Sequence, residues 1–170
     1  MSEFKVFKSK MTDTNLAVQI LEEMRPDWKG HIEVGNDIHL LGYQGDDRAK
    51  KSTSDKNYAP PCEARVPGEG SSHKLGKKNC VGSASNDIGI VRESDGTLSL
   101  IVSQYDSSRY NHEWQQGVAN KYSLREGQMQ AVQGGAEVSQ EMPCTDPQWG
   151  ACIGSVGRIP RSKLMALQGV

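Results

Sequence analysis

Between Asp46 and Gly82 the chain carries only three residues of Leu, Ile, Val or Phe (Val66, Leu75 and Val81) in 37 positions, while the other 133 positions hold 29. Ordering a residue costs backbone entropy that apolar burial must offset. A stretch this poor is predicted to lie outside the packed core as a long polar insert. The core must then come from the segments on either side. The whole chain, at 170 residues, is of a size for one domain.

Phe4 and Val6, then Phe7, Ser9 and Met11, alternate with lysines at the period of a strand, with one phase shift near Phe7. Asp13 or Thr14 can cap a helix in which Leu16, Ile20, Leu21 and Met24 form one face, and Pro26 stops it. Ile32 and Val34, a Gly35-Asn36-Asp37 turn, and Ile38, Leu40 and Leu41 predict a hairpin of two short strands. Beyond the insert, Ile88, Ile90 and Val91, the turn Glu93-Ser94-Asp95-Gly96, and Leu98, Leu100 and Val102 predict a second hairpin. From Tyr110 to about Gln133, Trp114, Val118, Tyr122, Met129 and Val132 recur at helical spacing, with a break expected near Ser123 between Gly117 and Gly127. Ala136, Val138 and Gln140 predict a last strand ended by Pro143.

The order strand, helix, strands, strands, helix, strand predicts an α+β fold. The expected sheet is a ferredoxin-like split β-α-β antiparallel sheet with helices on one face. The domain is expected to span 1–142, with the insert at 46–82 and a C-terminal tail at 143–170. Phe4, Val6, Leu16, Ile20, Ile90, Leu100, Val102, Trp114 and Val118 are expected to share its core.

Twenty basic residues against twenty-one acidic ones leave no global field to attract nucleic acid or an anionic membrane. The first fifteen residues lack the apolar run of about 7–15 residues of a signal peptide. No stretch approaches the roughly 18 apolar residues of a membrane span. An intracellular protein is therefore expected, cytoplasmic or in a stroma-like compartment, with its cysteines reduced.

Several segments together resemble the hypothetical chloroplast open reading frame thirty-five family of plastids and cyanobacteria, with its bacterial and phage relatives. They are MSEFKVFKSKMTD, LLGYQGDDR, NDIGIVRESDGTLSLIVSQYD and NHEWQQGVANKYS, covering about 1–45 and 86–142. The resemblance implies a small α+β domain and no assigned activity, and it extends to neither the insert nor the tail.

Cys62, Cys80, Cys144 and Cys152 all lie in the insert or tail, and His73 could join them around a metal. Their separations, 17 intervening residues and seven, differ from the short pairs of structural zinc sites. Free thiols are the competing reading, and an insert-to-tail disulfide is a third. The run from Gly70 to Lys78 departs from a phosphate loop in glycine spacing and in having Lys78 at the magnesium-binding position. His112-Glu113 lacks the second histidine of a zinc-protease helix, because Gln116 stands there. The insert has three net positive charges, but interleaved acids and a single aromatic, Tyr58, argue against a nucleic-acid platform. The sequence therefore points to a non-catalytic interaction or accessory protein that uses the insert to meet a protein partner and needs no cofactor. A cysteine-ligated metal or iron–sulfur protein, or an enzyme with an unrecognised site, are the alternatives.

Overall fold

The computed structural model describes residues 3–135, 137–146 and 150–158, with side chains described as far as Gly135. The chain divides into two compact units, Met1–Ala119 and Asn120–Val170. Among the described residues no helix is long and apolar enough to cross a membrane.

The first unit is an α+β structure built on five antiparallel strands: β1 (Phe4–Lys8), β2 (Glu33–Ile38), β3 (Cys62–Val66), β4 (Ile88–Arg92) and β5 (Leu98–Ser103). Their spatial order is β1-β5-β4-β3-β2. This corrects the ferredoxin-like expectation, in which the first strand would lie inside the sheet. Here β2 to β5 pair as successive neighbours, so β1 can join only at an outer edge, and it takes the one beside β5.

The unexpected strand is β3. Its sequence, CEARV, lies inside the apolar-poor insert yet sits between β2 and β4. Ala64 is fully buried opposite Ile90. Arg65 is buried by forming ion pairs, with Glu33 at 2.6 Å and Asp87 at 3.5 Å. Small residues and a paired charge thus fill positions where a pattern search looks for Val or Ile. The hairpin expected around Gly35-Asn36-Asp37 does not form. β2 runs straight through those residues, and a register shift between Val34 and Ile38 takes up the irregularity.

Phe7, Leu100, Ile90 and Ala64 are successive register partners across one face. Helix α1 (Thr14–Met24) buries Leu16, Ala17, Ile20 and Leu21, and its Asp13 cap accepts from the Leu16 N–H as expected. Arg92 reaches from β4 to the Thr12 carbonyl and to Glu63, which also accepts from Thr14 and so ties the helix start to the sheet. Helix α3 (His112–Gln133) begins on the same face, with the His112 ring 5.3 Å from that of Phe7. It passes the expected break near Ser123 without interruption.

Several expected core members lie elsewhere. Val6 is 53 % exposed, because β1 is an edge strand and Val6 points away from the helices. Phe4 and Trp114 are half-buried. Trp28 is fully buried instead, and it packs against the equally buried Tyr110 and against Trp114 at centroid distances of 5.4 and 5.9 Å.

The opposite face is covered by residues 39–61, an irregular strap. Leu40 and Ala59 pack there against Cys62, Val91 and Ile101. Gly89 is the clearance for this cover, since a side chain there would collide with Leu40. The short helix α2 (Ser72–Leu75) follows β3.

In the second unit, β6 (Glu137–Asp146) and β7 (Gly150–Arg158) form a separate antiparallel ribbon. Pro143, expected to end the last strand, lies inside β6 opposite Ile153. Each strand of a two-stranded ribbon has a free edge, where the missing N–H of proline costs little. Ala136, at the start of the expected strand, and residues 159–170 of the expected tail lie outside the described residues.

Candidate functional site

The loops at one end of the sheet are fixed by three buried polar side chains from a short stretch of sequence. Asp87, wholly buried, accepts at Oδ2 from the Leu41 N–H at 2.8 Å and at Oδ1 from the Gly68 N–H at 2.9 Å and the Ser71 hydroxyl. Burial pushes its pKa up to about 6, against those three bonds and the Arg65 charge, all of which pull it down. Asn86 accepts from the Tyr43 N–H through its side-chain carbonyl. Asp106 accepts from the backbone N–H groups of Ser85 and Asn86 and from the Ser103 hydroxyl. Strap, insert, the start of β4 and the end of β5 are thereby held in one polar lattice. Gly70 lies so close to Gly42 and Tyr43 that a side chain there would collide with their backbone.

On this lattice the tight turn Gly42–Asp46, with Gly45 at φ +75°, forms a ridge with a cavity on either side. Tyr43, Gln44 and Glu69 line both cavities. The first, about 540 Å³, also has Asp46, Arg48, Lys51, Asn86 and Tyr105 in its walls. Tyr43 and Tyr105 are 60 % and 70 % exposed, large rings presented to solvent from rigidly bonded loops. Arg48 is almost wholly buried, with its guanidinium 5.5 Å from the Phe4 ring centroid. The second cavity, about 580 Å³, is lined by Ser72, His73, Lys77 and Cys80.

No protein-family model, curated protein or solved structure matches this chain.

The cysteine and histidine candidates separate into three places. Cys62 is buried in β3, where its thiol donates to the Ile38 carbonyl and burial pushes its pKa up to about 12. His73 and Cys80 share the second cavity, and burial raises the Cys80 thiol as well. Both thiols are free and protonated at neutral pH, the form that is a poor nucleophile. Cys144 and Cys152 are register partners on β6 and β7. Among the described residues, whose side chains end at Gly135, no three His, Cys, Asp or Glu side chains are placed to hold a metal ion.

Sequence reasoning missed Tyr43, Tyr105, Asn86, Asp87 and Asp106. The segments that meet at this cleft, residues 40–48 and 86–106, lie far apart in the sequence.

Proposed function

We propose that the protein is a non-catalytic interaction module that receives a protein partner in the cleft between Tyr43 and Tyr105. The observation that carries this reading is the pair of highly exposed tyrosines flanking a cleft whose loops are fixed beneath them by Asn86 and Asp106. Tyrosine offers apolar area and a polar tip at small entropic cost, which suits it to anchor a partner. Prearranged loops lower the ordering cost of association. Asp87, whose carboxyl pKa burial raises to about 6, is fully buried and engaged in holding loops, which supports a structural role for it. The expected use of the insert is kept in this reading, since Asp46, Arg48, Lys51 and Glu69 belong to it. The resemblance to the chloroplast reading frame thirty-five family, which implies no activity, and an intracellular setting belong to the same proposal.

Photo-crosslinking tests it. A benzophenone side chain placed at Tyr43 or Tyr105 should give one discrete protein adduct in the native cell, and the same group at Asp95, at the opposite end of the strands, should give none. Adducts at all three positions, or at none, sink the reading.

The alternative, a cysteine-ligated metal or iron–sulfur protein, draws on the register pairing of Cys144 with Cys152, which brings two candidate ligands to one position of the ribbon. Metal analysis of reduced protein, with and without replacement of all four cysteines by serine, decides it. One equivalent of metal that disappears in the variant favours the alternative.

A further inference from the structure

We propose that the cleft is a carboxylate-binding site, in which Arg48 and Lys51 receive an acidic group of a peptide segment and Asp46 is the group it displaces. The proposal rests on the interaction-module reading and names the chemistry of the partner.

Arg48 is the unusual residue of the cleft. Its side chain is 3 % exposed, and two of its nitrogens, Nε and Nη1, make no hydrogen bond. A buried guanidinium normally spends its donors on acceptors, and leaving them unmade is costly. The chain nevertheless holds it there: the guanidinium lies against Gly42, where any side chain would collide with it, and over the Phe4 ring. Among the described residues its ion partner is Asp46, 3.3 Å from Nε, and that same Asp46 oxygen lies 3.4 Å from Lys51 Nζ. Both distances exceed the 2.7–2.9 Å or so of a charge-assisted hydrogen bond. Asp46 is also 37 % exposed in the cleft wall. One loosely held carboxylate is therefore shared between two cations, and it marks a position that accepts a carboxylate.

Charge selects the ligand. With Asp46 turned outward, Arg48 and Lys51 share the cleft wall with Glu69, leaving one net positive charge among these wall residues. That balance suits a single carboxylate better than a phosphate dianion. Tyr43 and Tyr105 flank the position and can pack against the residues on either side of the acidic one.

Amide chemical-shift titration at low salt tests this with four probes: an acetylated and amidated tetra-glutamate peptide, the matching tetra-glutamine peptide, tetra-glutamine with a free C-terminus, and inorganic phosphate. The glutamate peptide should saturably move the amides of Tyr43, residues 46–51 and Asn86, and the free C-terminus should do so if the chain end is the source. Asp46→Asn, which removes the internal competitor, should tighten the binding at least threefold, and Lys51→Ala should weaken it at least threefold. Arg48→Met would remove the central donor but can also unfold the strap, so Asp46→Asn and Lys51→Ala are the decisive variants. The proposal is overturned if amidated tetra-glutamine or phosphate binds as tightly, if no saturable shift occurs at these amides, or if Asp46→Asn fails to strengthen binding. Adducts at Tyr43 and Tyr105 without glutamate binding would leave the interaction module standing and remove its carboxylate chemistry. Glutamate binding without adducts would do the reverse.

Discussion

The two faces of the central sheet are covered in opposite ways. On one, α1 sets Leu16, Ala17, Ile20 and Leu21 over a row of apolar register partners, and the contact is held by area removed from water. On the other, the strap 39–61 contributes Leu40 and Ala59, while much of its fixation comes from Asp87, Arg65 and the backbone bonds among Leu40, Arg48 and Ala59. Apolar cover is non-directional and degrades gradually. Polar cover depends on particular partners, and losing one leaves others buried and unsatisfied.

The largest effect should follow from Asp87→Ala, which leaves two buried backbone N–H groups and the Ser71 hydroxyl without their acceptor and removes one of the two ion partners of Arg65. Urea unfolding should show a loss of about 3–5 kcal/mol. Hydrogen exchange should accelerate at Leu41 and Ala59 before it does in α1. A loss under about 1 kcal/mol would mean that the strap is held by apolar contact after all. Ile20→Ala, on the helical face, should cost about 2–5 kcal/mol through an unfilled cavity, with protection at Leu41 and Ala59 falling no faster than elsewhere. Preferential opening of the strap in that variant would erase the contrast between the faces.

A smaller effect concerns pH. Because the folded pKa of Asp87 is raised to about 6, the folded protein holds a proton that the unfolded chain has already released. Stability from this group is complete at low pH and is lost as pH rises through about 6, amounting to about 2 kcal/mol between pH 4.5 and 7. Glu63, whose pKa is lowered by Arg92, acts in the other direction and loses its contribution only as pH falls below its ordinary range. Unfolding curves of Asp87→Asn should lack the downward slope above pH 4.5, and an unchanged slope would assign it to other groups. The smallest change should be Val6→Thr on the exposed edge strand, within about 0.5 kcal/mol. A loss above about 1.5 kcal/mol would show that β1 is covered on both faces.

The same contrast explains what could be read from the sequence. Helix α1 was legible because its cap and its stripe agree, as was the β4–β5 hairpin, whose Gly96 takes φ +85° in the turn that Glu93-Ser94-Asp95-Gly96 predicts. Strand β3 was not, because Ala64 and Arg65 are buried by close packing and charge pairing, for which apolar periodicity has no symbol. Nor was the cleft. Its walls come from residues 43–51, 69, 85–86 and 105, and only the three-dimensional path that Asn86, Asp87 and Asp106 impose brings them together. Arg48 and Lys51 were visible as two of the eight basic residues in the insert, with nothing to distinguish a buried guanidinium from a solvated one.

The edge position of β1 has a consequence during synthesis. Its partner β5 begins at Leu98, roughly 90 residues after β1 ends, so at typical elongation rates β1 leaves the ribosome about 5–18 s before anything exists for it to pair with. Throughout that interval it is an unpaired β-prone segment containing Phe4, Val6 and Phe7. Lys5 and Lys8, with Lys10 just beyond, are spaced along it so that any association with a second nascent copy in register would bring like charges together. The lysines of the first strand thus set like charges along this edge before its own fifth strand arrives.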